Sequence, residues 1–289
     1  MTTPSTALAD ALAHLEHRWG SAVVRLDGSS SIGALEPDGA GVVPTGFPAL
    51  DALLSRGGLA GEAQAVLRGG STSGKTTLAL RLIAEAQAQG AVAAYLDLGR
   101  TLDPLEAVAR GVDLAWLLVL RAADATEGLR LAGALLSGRT VDLLVVDLPD
   151  RLAVRQEALL RRLAARARQV RARLVVLEPL DLAPALHGAL AETSSLRLEL
   201  ERHGWIRVRG DVVGLRILVT VAKDRSGAPG RRAEIEILYV DEGERERGVA
   251  GVLDAGGRLP AWPVAARGAR AAPGVTAGAA VSEVAAVGF

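Results

Sequence analysis

A mainly parallel β-sheet flanked by helices, continued by an antiparallel C-terminal extension, is the fold that this 289-residue chain predicts, and three observations predict it. Short aliphatic runs alternate with helical-length segments over residues 42–239, the pattern of strands buried on both faces beneath crossover helices. A glycine-rich turn, Gly69-Gly70-Ser71-Thr72-Ser73-Gly74-Lys75-Thr76-Thr77, stands between an apolar run and an amphipathic segment, as a phosphate-binding loop stands between its strand and helix. Beyond Ser195 the apolar runs become hairpin-like, which marks the antiparallel extension. An apolar fraction of 49% is enough for a sizeable core.

The elements follow in order. Leu8, Leu12, Leu15 and Trp19 share one helical face, and a short apolar run over 22–26 comes next. This helix-strand arm, assigned to residues 1–36, cannot bury enough surface to stand alone, so it must pack on the core or on another molecule. The core spans 37–245. Its first strand is predicted over 63–67. The helix after the glycine-rich turn is predicted over 75–89, closed by Gly90, with Leu78, Leu82, Ile83 and Ala86 on its buried side. Further strands are predicted over 92–98, 117–121, 143–147 and 174–177, and the extension over 196–200, 205–208, 215–221 and 235–239, with glycine-containing turns between. Residues 246–289, dominated by Ala, Gly, Val and Pro, read as a mobile tail. Within it Trp262 lies between Pro260 and Pro263, either a groove-docking segment or simply part of the tail.

The chemistry centres on the glycine-rich turn. Gly69 and Gly74 let successive N–H groups turn inward around phosphate oxygens, Lys75 reaches the β/γ-phosphates, and the Thr76 hydroxyl suits Mg²⁺. A nucleoside triphosphate is therefore expected. Asp147 ends an aliphatic strand downstream and is the candidate for holding the Mg²⁺ hydration shell. Thirty-three basic residues balance thirty-three acidic ones, so bulk charge exerts no pull on nucleic acid. The absence of cysteine excludes disulfides and thiolate metal sites. With no export segment and no bilayer-length apolar run, a cytoplasmic location without membrane contact is expected. Arg151, Arg155, Arg162, Arg166 and Arg173 recur opposite Leu152, Leu159, Leu160, Leu163 and Val170. They predict a basic amphipathic helix, read either as a solvated face or as a surface for a phosphate backbone or an acidic partner.

Several blocks in register resemble the bacterial RecA recombinase family over about residues 6–243. They are the N-terminal arm, Thr45-Gly46-Phe47-Pro48-Ala49-Leu50-Asp51, the phosphate loop, Leu102-Asp103-Pro104 with Gly111-Val112-Asp113, Lys223-Asp224-Arg225-Ser226-Gly227, and Ala233-Glu234-Ile235-Glu236-Ile237-Leu238-Tyr239. The resemblance implies ATP and Mg²⁺ as cofactors and a contact from Asp103 to the adenine. It also implies that Lys223 and Arg225 reach a nucleotide on the neighbouring subunit, in an ATP-dependent homo-oligomer or hetero-assembly. The same pair also reads as a solvated strand end. By the same resemblance the arm adds to an adjacent subunit, with its own core as the alternative.

Departures from the family matter as much. The glutamate that positions the attacking water is replaced by Gly99, and the glutamine that senses the terminal phosphate by Pro179. No catalytic residue is thus assigned, and the ~10²- to 10⁴-fold contribution of a general base is expected to be missing, unless Glu178 substitutes. The segments after Asp147 and Glu178 are shorter than the family's DNA-contacting loops, so direct DNA binding is expected to be weak. Within the wider family the chain is most similar to ImuA-type accessory proteins. This implies a role in the SOS response to DNA damage, in translesion synthesis alongside a specialised polymerase and RecA. Two alternatives remain: a DNA-dependent ATPase recombinase forming filaments on single-stranded DNA, and an interaction module with a vestigial nucleotide site.

Overall fold

The computed structural model describes residues 41–239. The arm over 1–36 and the tail over 246–289, including Trp262, lie outside the described residues. Within them one sheet is built from β1 (Gln64–Gly69), β2 (Ala93–Asp97), β3 (Leu117–Leu120), β4 (Leu143–Asp147), β5 (Arg173–Glu178), β6 (Leu196–Val208), β7 (Asp211–Asp224) and β8 (Arg232–Leu238). The order is β3-β2-β4-β5-β1-β6-β7-β8. The first six in this order run parallel, and β7 and β8 are antiparallel, as the sequence predicts.

β2 and β5 are buried along their whole length and β1 and β4 nearly so, which is why they read as continuous aliphatic runs. One face packs under α2 (Lys75–Ala88), where Leu67, Leu78, Ile83, Val145, Leu177, Ile217 and Ile235 form a single cluster. The other packs under α4 (Ala125–Ser137), α5 (Glu157–Val170) and α6 (Pro184–Thr193) through Val66, Leu96, Leu129, Leu144, Leu163 and Leu186. Two short helices, α1 (Pro48–Asp51) and α3 (Pro104–Ala109), begin with proline, whose fixed φ and missing N–H suit a first helical turn.

Two sequence readings are corrected. The predicted strands over 196–200 and 205–208 are one strand, β6, and Gly204 sits at a bulge in its pairing with β7 rather than in a turn. The hairpin turn is Arg209-Gly210, where φ is 52° and 97°, the left-handed pair that a two-residue turn between twisted strands requires. Nor do the five arginines share one helix. Arg151 lies in the connection after β4, Arg155 in a single 3₁₀ turn, and only Arg162 and Arg166 on α5. The helix stops where Arg171 turns left-handed at φ 62°, and Arg173 then enters β5, only 8% exposed. The spacing of four and seven thus continues by coincidence across a connection, a 3₁₀ turn, a helix and a strand.

Candidate functional site

The carboxyl ends of β1, β2, β4 and β5 bring Gly69, Asp97, Asp147 and Glu178 to one edge of the sheet, where ligands bind in open α/β folds. β1 feeds the phosphate loop directly. At Gly69 an added Cβ would lie 2.4 Å from Ser73 Oγ and 2.6 Å from the Leu200 carbonyl, so only glycine allows the loop to curl back on its strand. Gly74 caps α2 at φ 81° with Ile217 and Ile237 packed beneath it. The Ser73 N–H and hydroxyl both bond to the Gly70 carbonyl, at 3.3 and 2.8 Å. Among the described residues, the N–H groups of Ser71, Thr72, Gly74, Lys75, Thr76 and Thr77 have no acceptor. Such a run of unmatched donors at a helix start is an anion nest.

Lys75 Nζ crosses the loop to the carbonyls of Gly69 and Gly70, at 2.7 and 2.9 Å. Burial pushes its ammonium below the ordinary lysine value, opposed by the carboxylates of Asp147 and Asp150. On the far side, Asp147 Oδ2 accepts from the Tyr95 hydroxyl at 2.8 Å and the Thr101 hydroxyl at 3.2 Å. Its Oδ1 and the Thr76 hydroxyl have no hydrogen-bond partner among the described residues. No group of three or more metal-ligating side chains occurs there either. These residues fit a Mg²⁺ ion that takes most of its ligands from phosphate and water and the rest from Thr76 and Asp147.

Burial also raises the Asp147 carboxyl above its ordinary 3.8, against the lowering effect of the Tyr95 and Thr101 hydrogen bonds. Below pH 3.8 the group is neutral in both folded and unfolded chains, and the cost of burying its charge is absent; as the pH rises through the raised folded value the cost appears. Asp147→Asn is therefore expected to melt at a higher temperature than the parent at pH 7, with the advantage vanishing towards pH 3.8. Melting curves across that range check it. An advantage independent of pH would exclude this origin.

The other predicted residues divide. Asp103 caps α3, its carboxylate accepting from the Leu105 N–H at 2.9 Å, which leaves its second oxygen to a ligand. Lys223 and Arg225 lie at the opposite, amino edge of the sheet. Gly69 pairs with Leu200 and Leu200 with Val219, so Lys223 is about 13 Å further down β7. It donates to the Ala191 carbonyl at 2.6 Å, and burial, Arg225 and Arg197 all lower its ammonium from the ordinary value. Neither residue joins the phosphate loop of its own chain. Arg173, given a phosphate or partner role from sequence, is instead buried at the start of β5, where its guanidinium donates to the Gly41 carbonyl.

Gly99 is exposed in the turn between β2 and α3. That turn is tied down by Asp97, which accepts from the N–H groups of Thr101 and Leu102 and from Arg121. Pro179 is buried, and the following Leu180 brings its side chain within 3.7 Å of where a Cβ on Gly70 would lie. Neither offers a polar group. Glu178, the possible substitute base, is 0% exposed and bound by Arg68 at 3.4 Å, Arg197 at 3.2 Å and His187 at 2.7 Å, on the α6 side of the sheet. It is engaged in structure, which corrects that alternative.

Sequence reasoning missed three residues here. Tyr95 and Thr101 hold Asp147, and Arg202 from β6 donates to the Thr72 hydroxyl at 2.9 Å while its guanidinium carbon stands 4.8 Å from the Trp205 ring centre. The only available signal was Tyr95, an aromatic in an otherwise small aliphatic run.

Residues 6–178 match the RecA N-terminal domain. Protein RecA of Lactobacillus acidophilus is 31% identical over 261 residues, covering 81% of this chain and 70% of that protein. Protein RecA of Roseiflexus sp. is 31% identical over 282 residues, covering 88% and 78%. Among solved structures, the flagellar accessory protein FlaH from Methanocaldococcus jannaschii is similar at a TM-score of 0.46 and 14% identity, over 64% of this chain and 89% of that one.

Proposed function

This chain belongs to the RecA family, and we propose that within it the protein is an ATP-binding accessory factor of the DNA damage response, whose nucleotide occupancy rather than turnover conveys its state. The observation that carries the reading is a complete phosphate nest with Lys75, Thr76 and Asp147 beside an edge where Gly99 and Pro179 present no group to orient water. The triphosphate with Mg²⁺ supplies the anionic ligand. The chain's own residues would hold it: the six N–H donors and Lys75 on the phosphates, Thr76 and Asp147 on the metal side, Asp103 at the base.

Two features support assembly. Lys223 and Arg225 stand far from their own phosphate loop, so they can serve a nucleotide only on another subunit. Leu105, Val108, Leu114, Trp116 and Val119 are 38–80% exposed around β3, which among the described residues is an edge strand with no partner on its outer side, and this suits a covering chain. Translesion synthesis, with a specialised polymerase and RecA as partners, rests on the resemblance to ImuA-type proteins. The connections after β4 and β5 are short, which favours this over strand exchange on DNA. No helix among the described residues is long and apolar enough to cross a membrane, in keeping with a cytoplasmic site of action.

Calorimetric titration with Mg-ATP, paired with steady-state phosphate release, tests the reading. The parent should bind, and Lys75→Ala should weaken binding by about 10- to 100-fold through loss of a charge-assisted contact. Phosphate release should stay near background in both. Rapid, Lys75-dependent release would sink the proposal in favour of an active ATPase.

A further inference from the structure

The outer surface of α4 and α5 carries a feature that the nucleotide site does not use. Between the two helices runs a groove of about 230 Å³, floored by Leu129, Gly133 and Leu163 and rimmed by Arg130, Arg162 and Arg166. Its volume falls below the roughly 300–1,000 Å³ of a small-molecule site. It matches the insertion of a side chain better than the enclosure of a whole ligand.

The rim has one sign of charge. Among the described residues Arg130 and Arg162 have no hydrogen-bond or ion-pair partner, and Arg166 bonds only to the Gln169 amide at 3.0 Å. The carboxylates nearest in sequence are occupied: Glu157 by Arg161 at 2.9 Å, and Glu127 by the Ala123 N–H at 3.2 Å. α5 has two further arginines, and both are engaged, Arg161 by Glu157 and Glu192 and Arg168 by Gln64 and the Thr193 carbonyl. Three guanidiniums around the groove thus have no ion-pair partner among the described residues.

The floor is open as well. A Cβ built at Gly133 meets nothing within 4 Å. A glycine in mid-helix costs about 1 kcal/mol relative to alanine, and no packing or turn requires it here. We propose that this groove docks an acidic amphipathic segment of a partner protein, its carboxylates on Arg130, Arg162 and Arg166 and an apolar side chain seated over Gly133 between Leu129 and Leu163. Guanidinium and carboxylate match as planar, two-point partners. A single-stranded nucleic acid fits less well, because it relies on aromatic platforms for its bases, and no aromatic residue lines the groove.

The test uses the full chain, its Gly133→Leu and R162E/R166E variants, and a fluorescein-labelled helical peptide with leucines along one face and glutamates flanking them. Controls are the same peptide with Leu→Ala, the same with Glu→Gln, and an oligothymidylate of equal charge. Anisotropy should show saturable binding of the first peptide, weakened about tenfold or more by either protein variant and by either peptide change. Circular dichroism and melting should show Gly133→Leu folded and at least as stable as the parent, so its loss of binding reports a filled groove. Equal binding to Gly133→Leu, or no binding of the peptide to the parent, would overturn the proposal. So would oligothymidylate binding that R162E/R166E abolishes and Gly133→Leu spares, which would make this a phosphate surface. Self-association of the parent, relieved by Gly133→Leu, would make the occupant a second copy instead.

Discussion

Glu178→Ala is expected to cost the fold about 3–5 kcal/mol, the usual penalty for leaving a buried charge without its partner. Glu178 is wholly buried at the end of β5, and its register places it opposite Arg68 on β1. Arg197, from the neighbouring β6, is only 5% exposed and meets the carboxylate through both terminal nitrogens, at 3.2 and 3.4 Å. With alanine, Arg197 would keep its charge in an apolar setting with only the His187 ring within hydrogen-bond distance, at 3.1 Å. Arg68 would suffer less, because its side chain is 26% exposed and reaches Glu199 as well. Urea unfolding measures the loss as a lower midpoint at constant slope. The double replacement E178L/R197M should recover most of it, since two matched apolar residues leave no unpaired charge. A loss below about 1 kcal/mol in the single variant would mean that the carboxylate does not hold the three strands as described.

That cluster also shows where the sequence was silent. The phosphate loop was legible because its chemistry is local: the glycines, Lys75 and Thr76 are contiguous, and the strand and helix around them obey their periodicities. The parallel strands were legible for the same reason, being buried on both faces. Glu178, Arg68, Arg197 and His187 meet only through the register of three strands and a helix, which no spacing in the chain announces. Arg202 and Thr72 are likewise joined only because β6 runs on past the phosphate loop instead of turning at Gly204. The arginine series failed from the opposite side. A regular spacing implies one helix, but the connection after β4, the 3₁₀ turn and the left-handed Arg171 divide the series among a connection, that turn, α5 and β5. The two arginines that remain on α5 gain their interest from Arg130 on α4, a neighbour far away in sequence.

Gly99→Glu is expected to raise phosphate release by about 10²-fold, the lower end of what a positioned general base contributes. The backbone allows it. Gly99 does not take a left-handed conformation, and an added Cβ would meet only Thr101, with Cγ2 at 3.4 Å, an ordinary van der Waals contact. The turn is also well placed, because Thr101 two residues on bonds to Asp147 at 3.2 Å, which keeps a carboxylate at this position close to the metal-side oxygen. The gain should stop short of 10⁴-fold because Pro179 still supplies no side-chain donor to the terminal phosphate. Gly99→Gln separates positioning from basicity: it has the same reach but cannot accept the proton, and its rate should remain near that of the parent. Single-turnover phosphate release measured for the three proteins, each with Lys75→Ala as background, decides the matter. If Gly99→Glu leaves the rate unchanged while ATP binds normally, the missing glutamate is not what restrains hydrolysis. The restraint would then lie elsewhere in the site, as at Pro179, which has no polar side chain to offer the terminal phosphate.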